Sequence, residues 1–292
     1  MHLYRRRVAS GKALAEMEKH EEDYIERLFV ARTSGWILAF TAGGHCHFLP
    51  VADLPESGRA SRGQSVYSLL RGASRGDRIV ATLPVEDLEQ DRMLVFVSVN
   101  GMVKRTGLAE CSRPRAGGVT AAGIRKDDHM LEVVLSDGDG ELMVLTRAGR
   151  AIRFPESDVP LMGRGAQGVR GVDLRADDWV VGVLVIRRDA HVLTVTDDGM
   201  GKRTPVSEFP LQKRGGLGNL AIPAGREARP VVGALEVLEV DDVMLVTAAG
   251  QVARVAASRI PVLGRRTRGW QLIQLSAGDR VVEVTRAALR PG

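Results

Sequence analysis

Residues 191–218 read HVLTVTDDGMGKRTPVSEFPLQKRGGLG. A β-prone run, His191 to Val195, leads into Asp197-Asp198-Gly199, and a second polar run returns from it. Glycine and Asp supply the positive φ that a tight hairpin turn needs, so the first half reads as a β-hairpin. The second half ends in a loop whose frame is Arg214-x-x-x-Gly218. The same Arg-x-x-x-Gly frame recurs at Arg7/Gly11, Arg59/Gly63, Arg113/Gly117, Arg164/Gly168 and Arg265/Gly269, with glycine spacings of 52, 54, 51, 50 and 51. One such pair means nothing in a chain with 33 glycines; six in register mark a repeat.

The other features run in phase. Strand-like runs precede a turn glycine at Ile37–Phe40, Leu94–Val97, Leu142–Leu145, His191–Val195 and Val243–Val246. Each loop is followed by an acidic turn and an apolar strand, as with Asp77 before Ile79 and Asp127-Asp128 before Leu131 to Leu135. Units of about 51 residues, rich in short strands, predict an all-β radial repeat that closes into a disc and hides its sheet edges. The hairpin-plus-loop units fall near 37–64, 94–118, 142–171, 191–218 and 243–269, within a single domain spanning 1–292. One period before Gly44 lies upstream of Met1, so the first repeat is incomplete. It has lost its hairpin or belongs to a longer protein, with 1–12 as its loop remnant. The strand 281–285 is expected to complete a blade begun at the N-terminus. Residues Ala13 to Glu22 have a helical composition that their place in the repeat contradicts.

Charge sorts with the repeat. The chain carries 41 Lys+Arg against 36 Asp+Glu, a net +5 that names no partner. Yet residues 1–12, 43–64, 101–118, 149–171, 199–218 and 250–269 together carry +17, which leaves −12 on the other 177 residues. In a radial arrangement these portions form a basic belt, an electrostatic track for a polyanion. Glycines in the loops let backbone N–H groups approach phosphates. Only 12 residues are aromatic, which argues against a stacking platform for single strands and leaves backbone contact and deformability as the mode of recognition.

Other functions lack their residues. No apolar run reaches the roughly 20 residues of a membrane span, and no secretory h-region follows the basic N-terminus. Cys46 and Cys111 are far apart in sequence and form no CxxC, which argues against zinc, a disulfide framework or a redox motif and fits a reducing cytosol. His45-Cys46-His47 sits at a hairpin turn and is not read as a metal site, and no cofactor is expected. The acid pairs Glu86-Asp87 and Asp127-Asp128 read as solvated turns rather than general acids, and no phosphate-binding GxxxxGK[ST] loop occurs. Phe209 and Trp270 are the main aromatics of the belt, both readable as core.

Gln212-Lys213-Arg214-Gly215-Gly216-Leu217-Gly218 resembles the signature box of the C-terminal domain of the DNA gyrase A protein: glutamine, two basic residues, two glycines, a basic residue and glycine. Gly201–Phe209, Asn100–Thr106, Gly163–Gly171 and Glu21–Phe29 are also similar to that family. The resemblance implies a six-bladed β-pinwheel whose neighbouring repeats exchange strands, and a non-catalytic module that wraps duplex DNA around its rim in support of supercoiling. It implies as partners the remainder of the gyrase A protein, together with the gyrase B protein, in a bacterial, nucleoid-associated cytoplasmic assembly. Cleavage by a tyrosine that follows an Arg, and ATP hydrolysis, would lie elsewhere: Tyr4, Tyr24 and Tyr67 follow no Arg.

The family's box belongs to the first repeat. Here that place reads Arg5-Arg6-Arg7-Val8-Ala9-Ser10-Gly11, with Val8 and Ala9 for the glycine pair and Ser10 for the basic residue, while Leu217 replaces a basic residue in the better match. A degenerate first box is also a feature of the topoisomerase IV A protein, whose C-terminal domain binds and bends DNA without such wrapping. An interaction scaffold for an acidic protein is the alternative of another class. The expected DNA-binding residues are Arg5, Arg6, Arg7, Gly11, Arg59, Arg62, Lys104, Arg105, Arg113, Arg115, Arg164, Arg170, Lys202, Arg203, Gln212, Lys213, Arg214, Gly215, Gly216, Gly218, Arg254, Arg265, Arg266 and Arg268.

Overall fold

A computed structural model describes residues 2–3, 31–55, 64–223 and 228–287. Four sheets of four strands and one of three make five blades. The first blade orders Ile79–Val85, Trp36–Thr41, His45–Pro50 and Val119–Thr120 from one edge to the other. The second, third and fourth repeat this order: Met130–Ser136, Met93–Ser98, Met102–Gly107 and Val169–Arg170; Val180–Ile186, Glu141–Thr146, Arg150–Pro155 and Asn219–Leu220; Val231–Val237, His191–Thr196, Met200–Pro205 and Trp270–Gln271. The last holds Val281–Ala287, Asp242–Thr247 and Val252–Ala256.

The fourth strand of each four-stranded blade is borrowed. Val119–Thr120 leaves the hairpin of the second blade, pairs with His45 and Cys46 of the first, and the chain then returns to its own blade at Met130. The long strands at the other edge, from Ile79–Val85 to Val281–Ala287, lie against one another in sequence order and form the centre. The borrowed strands and their glycine loops therefore form the perimeter.

Blade packing explains the composition of the strands. Met93–Ser98 is buried on both faces after its first residue, with Leu94 and Phe96 in the core shared with the first blade and Val95 and Val97 in the core shared with the third. Met143 and Leu145, then Leu193 and Val195, continue the pattern towards the fourth and fifth blades. Continuous apolar strands are the expected signature of sheets covered on both faces.

The acidic turns have a structural task. The carboxylates of Asp77, Asp128, Asp178 and Asp279 accept the hairpin-turn N–H of Gly43, Asn100, Ala148 and Ala249 at 2.8–3.0 Å. They tie the turn to the start of the central strand, so Asp127-Asp128 is more than a solvated turn. In the fourth blade the charges are exchanged: Arg229 stands in the acid's place and pairs with Asp197 at 3.0 Å and Asp198 at 3.7 Å.

Several expectations change. Five blades are present among the described residues, not six. His2–Leu3 pairs with Gln64–Ser65 in the register of His45-Cys46 with Val119-Thr120, so these four residues continue the strand exchange one unit upstream. The strand beginning at Val281 completes the last blade, paired with Asp242–Thr247, rather than a blade begun at the N-terminus. In the second blade's loop the structural counterpart of Gly168, Gly218 and Gly269 is Gly118, at φ +76°, and Pro114 replaces the arginine; the frame Arg113/Gly117 is one residue out of phase. These glycines combine positive φ with close packing: a Cβ on Gly168, Gly218 or Gly269 would stand 2.5 Å from a carbonyl oxygen of the preceding blade. Cys46 and Cys111, remote in sequence, meet in one core, where the Cys46 thiol donates to His47 O at 3.8 Å, and burial first, then the neighbouring Cys111, pushes the Cys46 pKa up. The segment Ala13 to Glu22 lies outside the described residues.

Candidate nucleic-acid interface

The perimeter is built by loops docked on the outer strand of the preceding blade. Leu161, Leu211 and Val262 bridge in parallel to Arg105, Arg153 and Arg203, and the N–H of Met162, Gln212 and Leu263 donates to those arginines' carbonyls at 2.8 Å. Two side chains of that outer strand then hold the loop. Arg105 donates Nε to Val159 O at 2.7 Å, Arg153 donates to Val206 O and Phe209 O, and Arg203 donates Nε to Ile260 O at 2.8 Å. Lys104 donates Nζ to the carbonyls of Ala121, Gly163 and Arg164 at 2.8, 3.1 and 2.8 Å, with the Phe96 ring centroid 4.9 Å away. Lys202 repeats this with Gly264 O and Arg265 O at 2.6 Å and Thr267 Oγ1 at 3.3 Å.

Lys104 is 2% exposed and Lys202 1%. Burial pushes both ammonium groups down to about 8. They and Arg203 are interior clips, and Arg105 is largely buried beside Glu156, so these four expected DNA contacts do not face the perimeter. In the first blade His47 occupies the lysine position, packed against Gly118. Burial holds its pKa below 6.5, partly opposed by a hydrogen bond to the Arg71 backbone. A depressed histidine contributes stability that is complete above the unfolded pKa and is lost as pH falls through the native value. Replacing His47 with Gln should therefore flatten the fall in urea midpoint between pH 7.5 and 5.5; equal slopes would show that His47 does not titrate with unfolding.

The remaining expected residues divide by what holds them. Arg113, Arg115, Lys213 and Arg266 are exposed and make no side-chain hydrogen bond or ion pair with another described residue. Arg259, absent from the expected set, shares that state; its signal was the five arginines without an acid in 250–269. Arg170, Arg254 and Arg268 are held by Asp173, Asp242 and Asp198 at 3.1, 2.5 and 3.1 Å. Arg214 is half-buried and donates to Asp158 O and Arg170 O, and Arg265 donates to Leu220 O above the Phe209 ring. Arg164 and Arg115 line an open cleft with His45, Gly117, Gly118 and Gly165. Gln212 contributes its backbone to register. The Gly215 N–H donates to Gly171 O at 2.6 Å and Gly216 O accepts from Asp173 N, so these glycines, with Gly218, fasten neighbouring loops rather than offering N–H groups to a ligand. Phe209 is core, whereas Trp270 is exposed. Arg5, Arg6, Arg7, Gly11, Arg59 and Arg62 lie outside the described residues. Among the described residues no His/Cys/Asp/Glu cluster suits a metal, and no helix is long and apolar enough to cross a membrane.

This is a strand-exchanging, propeller-like repeat domain with cations fixed along its perimeter. The family described as DNA gyrase C-terminal domain, beta-propeller, matches residues 36–86, 92–136, 140–187, 190–226 and 241–287, and the chain belongs to it. It is 39% identical over 283 residues to the DNA gyrase A protein of Salmonella typhimurium and 35% identical over 309 residues to that of Haemophilus influenzae. These alignments cover 97% and 96% of this chain but 32% and 35% of the relatives, so the chain spans about a third of the length of the curated relatives it matches. A solved C-terminal domain of DNA topoisomerase IV superposes with a TM-score of 0.80 at 27% identity, covering 87% of this chain and 79% of that one. A DNA gyrase A C-terminal domain superposes with a TM-score of 0.77 at 24% identity, covering 97% and 92%, and speaks to the fold alone.

Proposed function

We propose that this chain binds duplex DNA along its perimeter without sequence preference and wraps it, as the C-terminal part of a gyrase A protein. It is non-catalytic on its own. Cleavage and ATP hydrolysis belong to the rest of the gyrase A protein and to the gyrase B protein of a type IIA topoisomerase in the bacterial cytoplasm, at the nucleoid. The observation that carries this reading is the recurrence of cations without a side-chain partner among the described residues, Arg113, Arg115, Lys213 and Arg266, on the perimeter loops of the second, fourth and fifth units. Fixed charge of one sign along a curved edge suits a polyanion. Smoothly bending a 20–30 bp site by 40–90° costs of order 1–6 kcal/mol, which contacts distributed over several blades offset better than one patch.

A second reading, bending without gyrase-like wrapping, is favoured by the likeness to the topoisomerase IV domain and by Val8, Ala9 and Ser10 in the first box. Relaxed circular DNA incubated with the chain and then treated with a nicking-closing topoisomerase separates the two. A positive linking-number shift is expected for wrapping. Binding without a shift supports the second reading, and absence of binding overturns both in favour of a protein scaffold.

A further inference from the structure

Leu161, Leu211 and Val262 are 63%, 51% and 44% exposed. Single exposed apolar residues need no explanation, but these three occupy one structural position in three successive units. Each is the residue that bridges in parallel to the arginine clip of the preceding blade, and each follows a proline, Pro160, Pro210 or Pro261. The backbone on both sides is pinned: the residue before the proline donates its N–H within the 3-10 turn and accepts from the clip arginine's side chain at its carbonyl, and the residue after the apolar one donates to the clip arginine's carbonyl. Side chains held so firmly at the outer edge are presented, not left over. Three residues further along each loop stand Arg164, Arg214 and Arg265.

We propose that Leu161, Leu211 and Val262 are apolar knobs that press against the sugar face of the duplex, where the groove narrows on the concave side of a bend, while the neighbouring cations hold phosphates. This rests on the DNA-binding reading and adds how the bend is set. The charge beside the knobs selects the partner: Arg164, Lys213 and Arg266 follow Leu161, Leu211 and Val262 within four residues and make no side-chain hydrogen bond or ion pair with another described residue, so a purely hydrophobic protein surface would not seat there, whereas a duplex offers phosphates and apolar deoxyribose edges together. Minor-groove proteins stabilise bent DNA with apolar side chains wedged between base steps; a shallower apolar contact on the sugar edges would favour a smooth bend in the same way.

The test replaces Leu161, Leu211 and Val262 together with Ser. These are surface changes, and circular dichroism verifies that the variant is folded. Binding and bending are read with an end-labelled duplex by energy transfer, over a range of salt. Affinity should fall about tenfold at fixed salt, from the loss of buried apolar area. End-to-end approach should decrease, and the slope of log K against log salt should stay unchanged, because phosphate contacts remain. A second variant, Leu211→Trp, gives a direct readout: its added emission should be quenched by duplex. Wild-type affinity and bend in the Ser variant, or a Trp signal that ignores DNA, overturns the knobs and leaves DNA binding intact. A wild-type chain that fails to bind duplex overturns the knobs and the underlying reading together.

Discussion

Neutralising Arg113, Arg115, Lys213 and Arg266 to Gln should flatten the salt dependence of duplex binding. Each cation that touches a phosphate releases counterions, and the slope of log K against log salt is about −0.9 per contact. If all four are contacts, the slope becomes shallower by about 3.6. The loss should be the same on unrelated sequences, because contacts to phosphates fix position on the duplex and carry no sequence information. Folding stability should change by less than about 0.5 kcal/mol per site, as expected for exposed side chains that have no partner among the described residues. The companion set, Arg170, Arg254 and Arg268, provides the contrast. Their charges are already matched by Asp173, Asp242 and Asp198, so Gln there should move the slope less per residue. Measuring both sets by salt titration decides the matter. An unchanged slope in the first variant removes these four residues from the interface, and equal slopes from both sets would show that local pairing does not govern which arginines bind.

What the sequence makes legible, and what it hides, follows from the repeat. Period reveals architecture because a unit that cannot bury its own faces has to repeat its contacts with the next, which is why Leu94, Leu142, Val192 and Val243 recur at one strand position. Position in the unit also locates the perimeter, since loops between hairpin and central strand are the segments free to reach outward. Charge alone does not say which way a side chain points. Lys104 and Lys202 count with the belt by charge, yet they lie within β-strands rather than loops, at matching register in Met102–Gly107 and Met200–Pro205. That recurrence inside a strand is the available signal of an interior role. The strand exchange is hidden for another reason. A two-residue strand such as Asn219–Leu220 has no periodicity to read, and its partner is set by tertiary position. The contact between Cys46 and Cys111 is equally non-local: the turn that carries Cys111 returns to the outer strand of the preceding blade, a step no spacing rule anticipates.

Replacing Lys104 or Lys202 with Met should release one perimeter loop at a time. Lys104 supplies donors to three carbonyls that have few alternatives in the interior, and hydrogen bonds to a charged group contribute about 1.5–3 kcal/mol each. Burying an ammonium opposes that gain, so the net cost of Lys104→Met is expected near about 3 kcal/mol by urea unfolding at pH 7. The pH dependence carries a definite sign. A lysine pushed down to about 8 in the native state loses its proton before the unfolded chain does, so between about pH 8 and 10.5 the unfolded state binds more protons and native stability rises relative to the Met variant. The cost of the substitution should therefore be larger at pH 10 than at pH 7. The stronger test is local. With Lys104 gone, the carbonyls of Gly163 and Arg164 rehydrate by lifting the loop, and trypsin should cut after Arg164 well before it cuts after Arg265. With Lys202 gone, the order reverses, because Lys202 holds Gly264 and Arg265. Equal acceleration at both loops in either variant would mean general unfolding and would refute the one-lysine, one-loop assignment. If it holds, the perimeter's exposed arginines are positioned from within, by cations that never meet the ligand.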